Sequence, residues 1–119
     1  MKIGEVCLLT NDVVRLANFY KTLLEIDNSS NDAVHQFIIS EETTLTIYND
    51  GKIRDSNFQN ICIAFTVDDL DAEFERLTKL GIEISVPPTV RPWGAKNMSF
   101  YDPDGNHITF RCFPKQPEK

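Results

Sequence analysis

The chain is short of positive charge, of long apolar runs and of paired cysteines. Its 119 residues carry 12 Lys and Arg against 18 Asp and Glu, a net charge of −6 and a sequence pI of about 4.8. A surface of that sign repels nucleic acid and anionic membrane, so neither is expected as a partner. No apolar run approaches the roughly 20 residues that span a bilayer. Met1–Glu5 lacks the shape of a signal peptide. Cysteine occurs only at Cys7, Cys62 and Cys112, an odd number without a CxxC spacing, which points to free thiols in a reducing cytoplasm. What is present is ordinary: 41% hydrophobic and 25% charged residues describe one soluble globular domain with a hydrophobic core.

The strongest local signal is Tyr101-Asp102-Pro103-Asp104-Gly105-Asn106-His107-Ile108-Thr109-Phe110. Pro103 presets φ for a turn, Gly105 supplies a permissive φ, and Asp102 and Asn106 can hydrogen-bond the local backbone. Met98 and Phe100 alternate before the turn, and Ile108 and Phe110 after it. The stretch therefore reads as a hairpin with one core face.

Taken in order, Ile3–Thr10 reads as a strand. Asn11 or Asp12 can cap a helix carrying Val13, Leu16, Ala17, Tyr20, Leu23 and Leu24. Val34–Ile39 and Thr43–Tyr48 read as strands, and residues 49–60 as a linker. The pattern then restarts. Ile61–Val67 reads as a strand, and Asp68 or Asp69 caps a helix with Leu70, Phe74, Leu77 and Leu80 that stops at Gly81. Ile82–Val86 follows as a short strand, then a Pro87–Gly94 loop with the sole tryptophan, Trp93. The hairpin strands Asn97–Tyr101 and His107–Cys112 close the second half, and the tail from Pro114 is expected to fray. Laid on each other, the halves match Asp12 with Asp69, Val13 with Leu70, Ala17 with Phe74 and Tyr20 with Leu77. This weak repeat predicts an α+β fold of two βαβββ modules, about 1–50 and 61–113, that pack together.

Alternation divides each strand into two faces. Val6, Leu8, Leu45, Ile47, Ile63, Phe65, Met98, Phe100, Ile108 and Phe110 form an apolar helix-side face. The other face takes Glu5, Cys7, Leu9, Thr44, Thr46, Tyr48, Cys62, Ala64, Thr66, Asn97, Ser99, Tyr101, His107, Thr109 and Arg111. That mixture of small, hydroxylic, aromatic and charged groups suits a concave site for a small organic molecule.

With Thr10-Asn11-Asp12-Val13, Phe19-Tyr20, Phe65-Thr66-Val67-Asp68-Asp69-Leu70 and, above all, Asp102-Pro103-Asp104-Gly105-Asn106 in place, the chain resembles the vicinal oxygen chelate superfamily. That group includes glyoxalase I, extradiol dioxygenases, and fosfomycin- and bleomycin-resistance proteins. Pro92-Trp93-Gly94 before the hairpin is similar to the bleomycin-resistance branch. The resemblance implies curved sheets around a pocket, and a homodimer. Its metal-using members take four His, Glu or Gln ligands from four strands. Carried over, these positions fall on Glu5, on Thr46 or Leu45, on Cys62 and on Thr109. Leu45 belongs with the core face, which leaves Thr46. Glu5 alone is an ordinary ligand for a hard or borderline divalent ion, so no metal and no cofactor are expected.

Each remaining candidate has more than one reading. Glu5 is a solvated residue near a strand start, or a pocket carboxylate that binds a cation or acts as a base with a raised pKa. Cys62 is a small buried hydrophobe or a pocket thiol without a base partner. Tyr48 and Tyr101 are pocket walls or sheet filler. Trp93 is a loop anchor on its own module, or a pocket lid or dimer contact. Arg111 pairs with a ligand carboxylate, pairs with Glu5, or points to solvent. Asp102 and Asp104 read as turn structure rather than a catalytic pair. The expectation is metal-independent binding of a small organic molecule, cationic or aromatic, by a cytoplasmic homodimer. Its ligand set is Glu5, Thr46, Tyr48, Cys62, Trp93, Ser99, Tyr101, Thr109 and Arg111. Catalysis is the lesser expectation, in two forms: a metal-dependent lyase or transferase with a divergent site, or cofactor-free proton transfer by Glu5.

Overall fold

The computed structural model describes residues 1, 3–54 and 61–113. The tail from Pro114, expected to fray, and the second half of the linker lie outside the described residues. The chain divides into two compact units, Met1–Asn57 and Phe58–Lys119.

The first unit runs β1 (Glu5–Leu9), α1 (Val13–Leu23), β2 (His35–Ile39) and β3 (Thr44–Tyr48). Its sheet has the order β1-β3-β2, with β1 parallel to β3 and β2 antiparallel to it. Of the two possible caps, Asp12 is the one used, its carboxylate accepting from the Arg15 amide. Asn11 has another task. Its side-chain amide donates to the Lys52 carbonyl and accepts from the Arg54 amide, both at 2.7 Å, which ties the start of the linker to the start of the helix. Leu16, Ala17, Tyr20 and Leu23 on α1 are buried with Leu8, Ile38, Leu45 and Ile47.

The second unit runs β4 (Cys62–Thr66), α2 (Leu70–Lys79), β5 (Ile84–Val90), β6 (Lys96–Tyr101) and β7 (His107–Cys112). Its sheet has the order β4-β7-β6-β5. Asp69 caps α2 by accepting from the Ala72 amide, and Gly81, at φ +81, ends it. Leu70, Leu77, Met98, Phe100, Ile108 and Phe110 form the core. The helix-side residues of both sheets thus fall on the core side as alternation predicts.

The repeat is carried by strand register. Glu5 stands opposite Thr44 as Cys62 stands opposite His107, and the correspondence continues residue by residue to Leu9–Tyr48 and Thr66–Arg111. The helix ends match as well. In α1 the amides of Glu25 and Ile26 bond to the carbonyls of Thr22 and Lys21; in α2 those of Gly81 and Ile82 bond to Thr78 and Leu77. Both ends need a residue at positive φ. The second uses Gly81, whereas the first uses Glu25 at φ 55.

Two expectations are corrected. Among the described residues the first unit has three strands, not four, so it is βαβββ-like rather than a full copy. Where the second unit has β5, the first has a loop stapled by side chains. Asn28 Nδ2 donates to the Phe37 carbonyl, and Lys21 Nζ, on a largely buried side chain, donates to the Ser30 carbonyl. The second correction is that β5 does not end at Val86. It continues through Pro87 and Pro88 to Val90, and the loop shrinks to a tight turn, with Gly94 donating to Arg91 and Arg91 to Ala95. Proline lacks an amide donor but is tolerated where no neighbour needs one. β5 is an edge strand, and its register to β6 shifts between Val86 and Thr89.

Candidate functional site

Each sheet has one face against its helix and one open face, and the candidate residues lie mainly on the open faces. On the first sheet, Cys7 stands beside Thr46, and Thr46 beside Phe37; in the next row are Leu9, Tyr48 and His35. The fully buried Thr46 donates its hydroxyl to Glu5 Oε2 at 3.1 Å. The Glu5 carboxylate is thereby oriented at the strand start while the residue stays exposed. His35 lies between two rings, 4.8 Å from Phe37 and 5.2 Å from Tyr48, centroid to centroid. Phe37 is 53% exposed and Tyr48 37%. Both rings are therefore exposed on this face.

Phe37 and His35 were missed from the sequence. The signal was there, because alternation from the buried Gln36 and Ile38 puts His35 and Phe37 on the face of Tyr48. The strand Val34–Ile39 is apolar at most positions, which hides its open side.

On the second sheet the rows are Cys62–His107–Tyr101, Ala64–Thr109–Ser99 and Thr66–Arg111–Asn97. Cys62 Sγ lies 3.7 Å from Thr109 Oγ1. Cys62 is exposed, which corrects its reading as a small buried hydrophobe. The rings of Tyr101 and His107 lie 5.5 Å apart at 34°, and Tyr101 is 46% exposed. Ser99 is buried on this face. Arg111 Nε donates to Thr66 Oγ1 at 3.0 Å, and its guanidinium carbon sits 5.4 Å from the Phe113 ring. Among the described residues no ion pair joins Arg111 to Glu5 or to any other carboxylate. Trp93, 69% exposed at the tip of the β5–β6 turn, is not anchored in its own module.

The Asp102-Pro103-Asp104-Gly105-Asn106 turn is structural. Asp102 Oδ1 accepts from the amides of Asp104 and Asn106, and its Oδ2 accepts from Asn106 Nδ2, all within 2.8–2.9 Å. Asp102 is 5% exposed, so these bonds satisfy a buried carboxylate rather than leave it for chemistry.

A model of the glyoxalase/bleomycin resistance protein/dioxygenase superfamily matches residues 2–110. The chain belongs to that superfamily. Solved structures place its fold there too. A glyoxalase/bleomycin resistance protein/dioxygenase from Nocardioides superposes with a TM-score of 0.79 at 22% identity, over 100% of this chain and 89% of its own. A glyoxalase/dioxygenase from Nostoc punctiforme gives 0.75 at 22%, over 96% and 92%. A lactoylglutathione lyase from Agrobacterium tumefaciens gives 0.74 at 18%, over 93% and 92%. At these identities the likeness concerns the fold alone. A search of curated proteins finds no match.

For a member of this superfamily the donor set is unusual. The first sheet offers one carboxylate whose neighbour is a hydroxyl already donating to it. The second offers one thiol beside another hydroxyl. Neutral threonine hydroxyls are poor ligands, and one carboxylate plus one thiol do not suit a hard divalent ion. Among the described residues no three His, Cys, Asp or Glu side chains gather in a way that could hold a metal. The residues of this superfamily member do not fit the metal that its metal-using relatives employ. No described helix is long and apolar enough to cross a membrane.

Proposed function

We propose that this protein binds a small planar organic cation without a metal, in the manner of the bleomycin-resistance members of its superfamily. The observation that carries the reading is the open face of the first sheet. The His35 ring, in contact with Phe37 on one side and Tyr48 on the other, shares that face with a single oriented carboxylate, Glu5. Aromatic faces attract cations and stack on planar groups, and a carboxylate adds charge. The net charge of −6 favours the same sign of ligand. In this reading Thr46 orients Glu5; the remaining candidates, Cys62, Ser99, Tyr101, Thr109 and Arg111, lie on the second sheet and offer contacts to a ligand on that face. The protein works as a homodimer in a reducing cytoplasm, consistent with its three free thiols, and Trp93 serves as lid or dimer contact.

Calorimetric titration with benzyltrimethylammonium and with benzyl alcohol tests this. The cation is expected to bind and the neutral alcohol to bind far more weakly. Glu5→Gln is expected to weaken the cation about tenfold, the worth of one charge-assisted contact. Equal binding of both probes overturns the reading. So does a stoichiometric divalent ion in protein purified without chelator, which would favour a metal-dependent lyase. Turnover of a substrate that is lost in Glu5→Gln would favour proton transfer instead.

A further inference from the structure

We propose that His35 sets the charge selectivity of the first-sheet site: the neutral imidazole admits a cation to the rings beside it, and the imidazolium excludes one. The inference rests on the reading of that face as a cation site and states how the site is regulated.

Three observations carry it. First, the imidazole lies next to where a bound cation would stand. Its centroid is 4.8 Å from that of Phe37 and 5.2 Å from that of Tyr48, and both of those rings are exposed. A cation drawn to either ring sits beside the imidazole, near enough to be repelled by a like charge on it. Second, the imidazole is free to change its charge. Among the described residues neither ring nitrogen has a hydrogen-bond partner; the bond to Asp32 Oδ1, at 3.0 Å, is donated by the backbone amide. Neither ring nitrogen is sealed from solvent. Histidine is the side chain that changes charge near neutral pH, and here a proton can come and go without breaking a contact.

Third, His35 is alone in this capacity. None of β1, β2 and β3 contains a Lys or Arg, so His35 is the one residue of the three strands that can become positive. The other titratable groups about it can only be neutral or negative. They are Tyr48 on β3, Cys7 and Glu5 farther along β1, and Asp32 on the loop before β2, whose carboxylate feels the imidazole. Helix α1 packs on the opposite face of the sheet, through Leu16, Ala17, Tyr20 and Leu23. His107, the one other histidine, lies on the second sheet against a single ring, Tyr101. It serves as an internal control.

The test measures the affinities of benzyltrimethylammonium and benzyl alcohol for the full chain at constant ionic strength, from about pH 8 to about pH 5.5, above the usual carboxylate range. The preference for the cation over the alcohol is expected to fall about fivefold as His35 takes up its proton, the effect of one added like charge in a solvated site. The fall should persist in Glu5→Gln, which removes the carboxylate as its source, and vanish in His35→Phe, which keeps a ring in place. Linkage is reciprocal, so a cation that prefers neutral His35 must also lower its proton affinity. Saturating benzyltrimethylammonium should therefore lower the NMR titration midpoint of the His35 ring by about 0.7 of a pH unit, the same fivefold factor, and leave that of His107 in place. A cation preference that stays constant over this range, or that falls as much in His35→Phe, overturns the inference and leaves the cation reading standing. A His35 midpoint unmoved by the saturating cation does the same in the wild-type chain, whatever the variants do. Absence of cation binding at every pH overturns both.

Discussion

In the first sheet Glu5 stands beside Thr44; at the same place in the second ladder Cys62 stands beside His107. One step on, Thr46 and Thr109 occupy equal positions, yet Thr46 gives its proton to a carboxylate and Thr109 lies against a thiol. At the far end of the ladders Tyr48 corresponds to Arg111. The two modules therefore share a frame down to the residue and differ in nearly every group the frame presents. Register is enforced by the apolar face, where a slip of one residue would move the whole core set into water. The opposite face carries no such constraint, so its chemistry can diverge while the ladder stays fixed.

If the frames are equivalent, truncating matched core positions should cost similar amounts. Phe110→Ala is expected to lose about 4 kcal/mol and its counterpart Ile47→Ala about 3 kcal/mol in denaturant unfolding, the usual range for buried side chains of these sizes. A cost confined to one module would break the comparison. Next comes the β6–β7 hairpin turn, whose counterpart between β2 and β3 carries no buried aspartate. Asp102→Ala removes three hydrogen bonds around a buried carboxylate and is expected to cost about 3 kcal/mol.

Helix ends give a sharper test, because the two sites differ by one residue type in the same hydrogen-bonded motif. Glu25→Gly should raise stability by about 1 kcal/mol, and Gly81→Glu should lower it by a similar amount, since only glycine takes positive φ freely.

The smallest effect concerns pH. The Asp32 carboxylate accepts from the amides of His35 and Val34, and these bonds hold its carboxyl below the usual value. A carboxyl depressed in the folded state stabilises the fold above its unfolded pKa, and that stability is lost as pH falls through the folded value. Asp32→Asn should therefore slightly flatten the acid limb of the stability–pH curve, and an NMR titration of Asp32 should show its midpoint below that of an unpaired aspartate.

Much of the frame was legible in the sequence because two periods, 2 and 3.6, bind residues to faces. Met98, Phe100, Ile108 and Phe110 alternate cleanly, and their strands lie where alternation puts them. The extent of β5 was hidden because Pro87 and Pro88 read as loop, and only the strand's place at the edge removes that objection. The loop that the first module has in place of such a strand was legible, since residues 27–32 are polar and turn-rich. Asn28, Ser30 and Asp32 look like loop residues, and nothing local says that their side chains do part of a strand's work. The hydroxyls and the lone carboxylate of the site could be read by position. Which rings gather around His35 could not, since that depends on how β2 pairs with β3.

The prolines of β5 have a consequence for the protein's solubility. An outermost strand normally exposes a row of amides on which another chain can add a strand of its own. Successive amides of a strand point to opposite edges. Of Pro87 and Pro88, one therefore removes a donor from that row and the other a donor on the side of β6, and a register shift between Val86 and Thr89 spans the pair. Val86 and Val90 lie exposed along this strand, which without the prolines would be a template for fibril growth. The same pair that disguised the strand in the sequence keeps its margin from recruiting copies of itself.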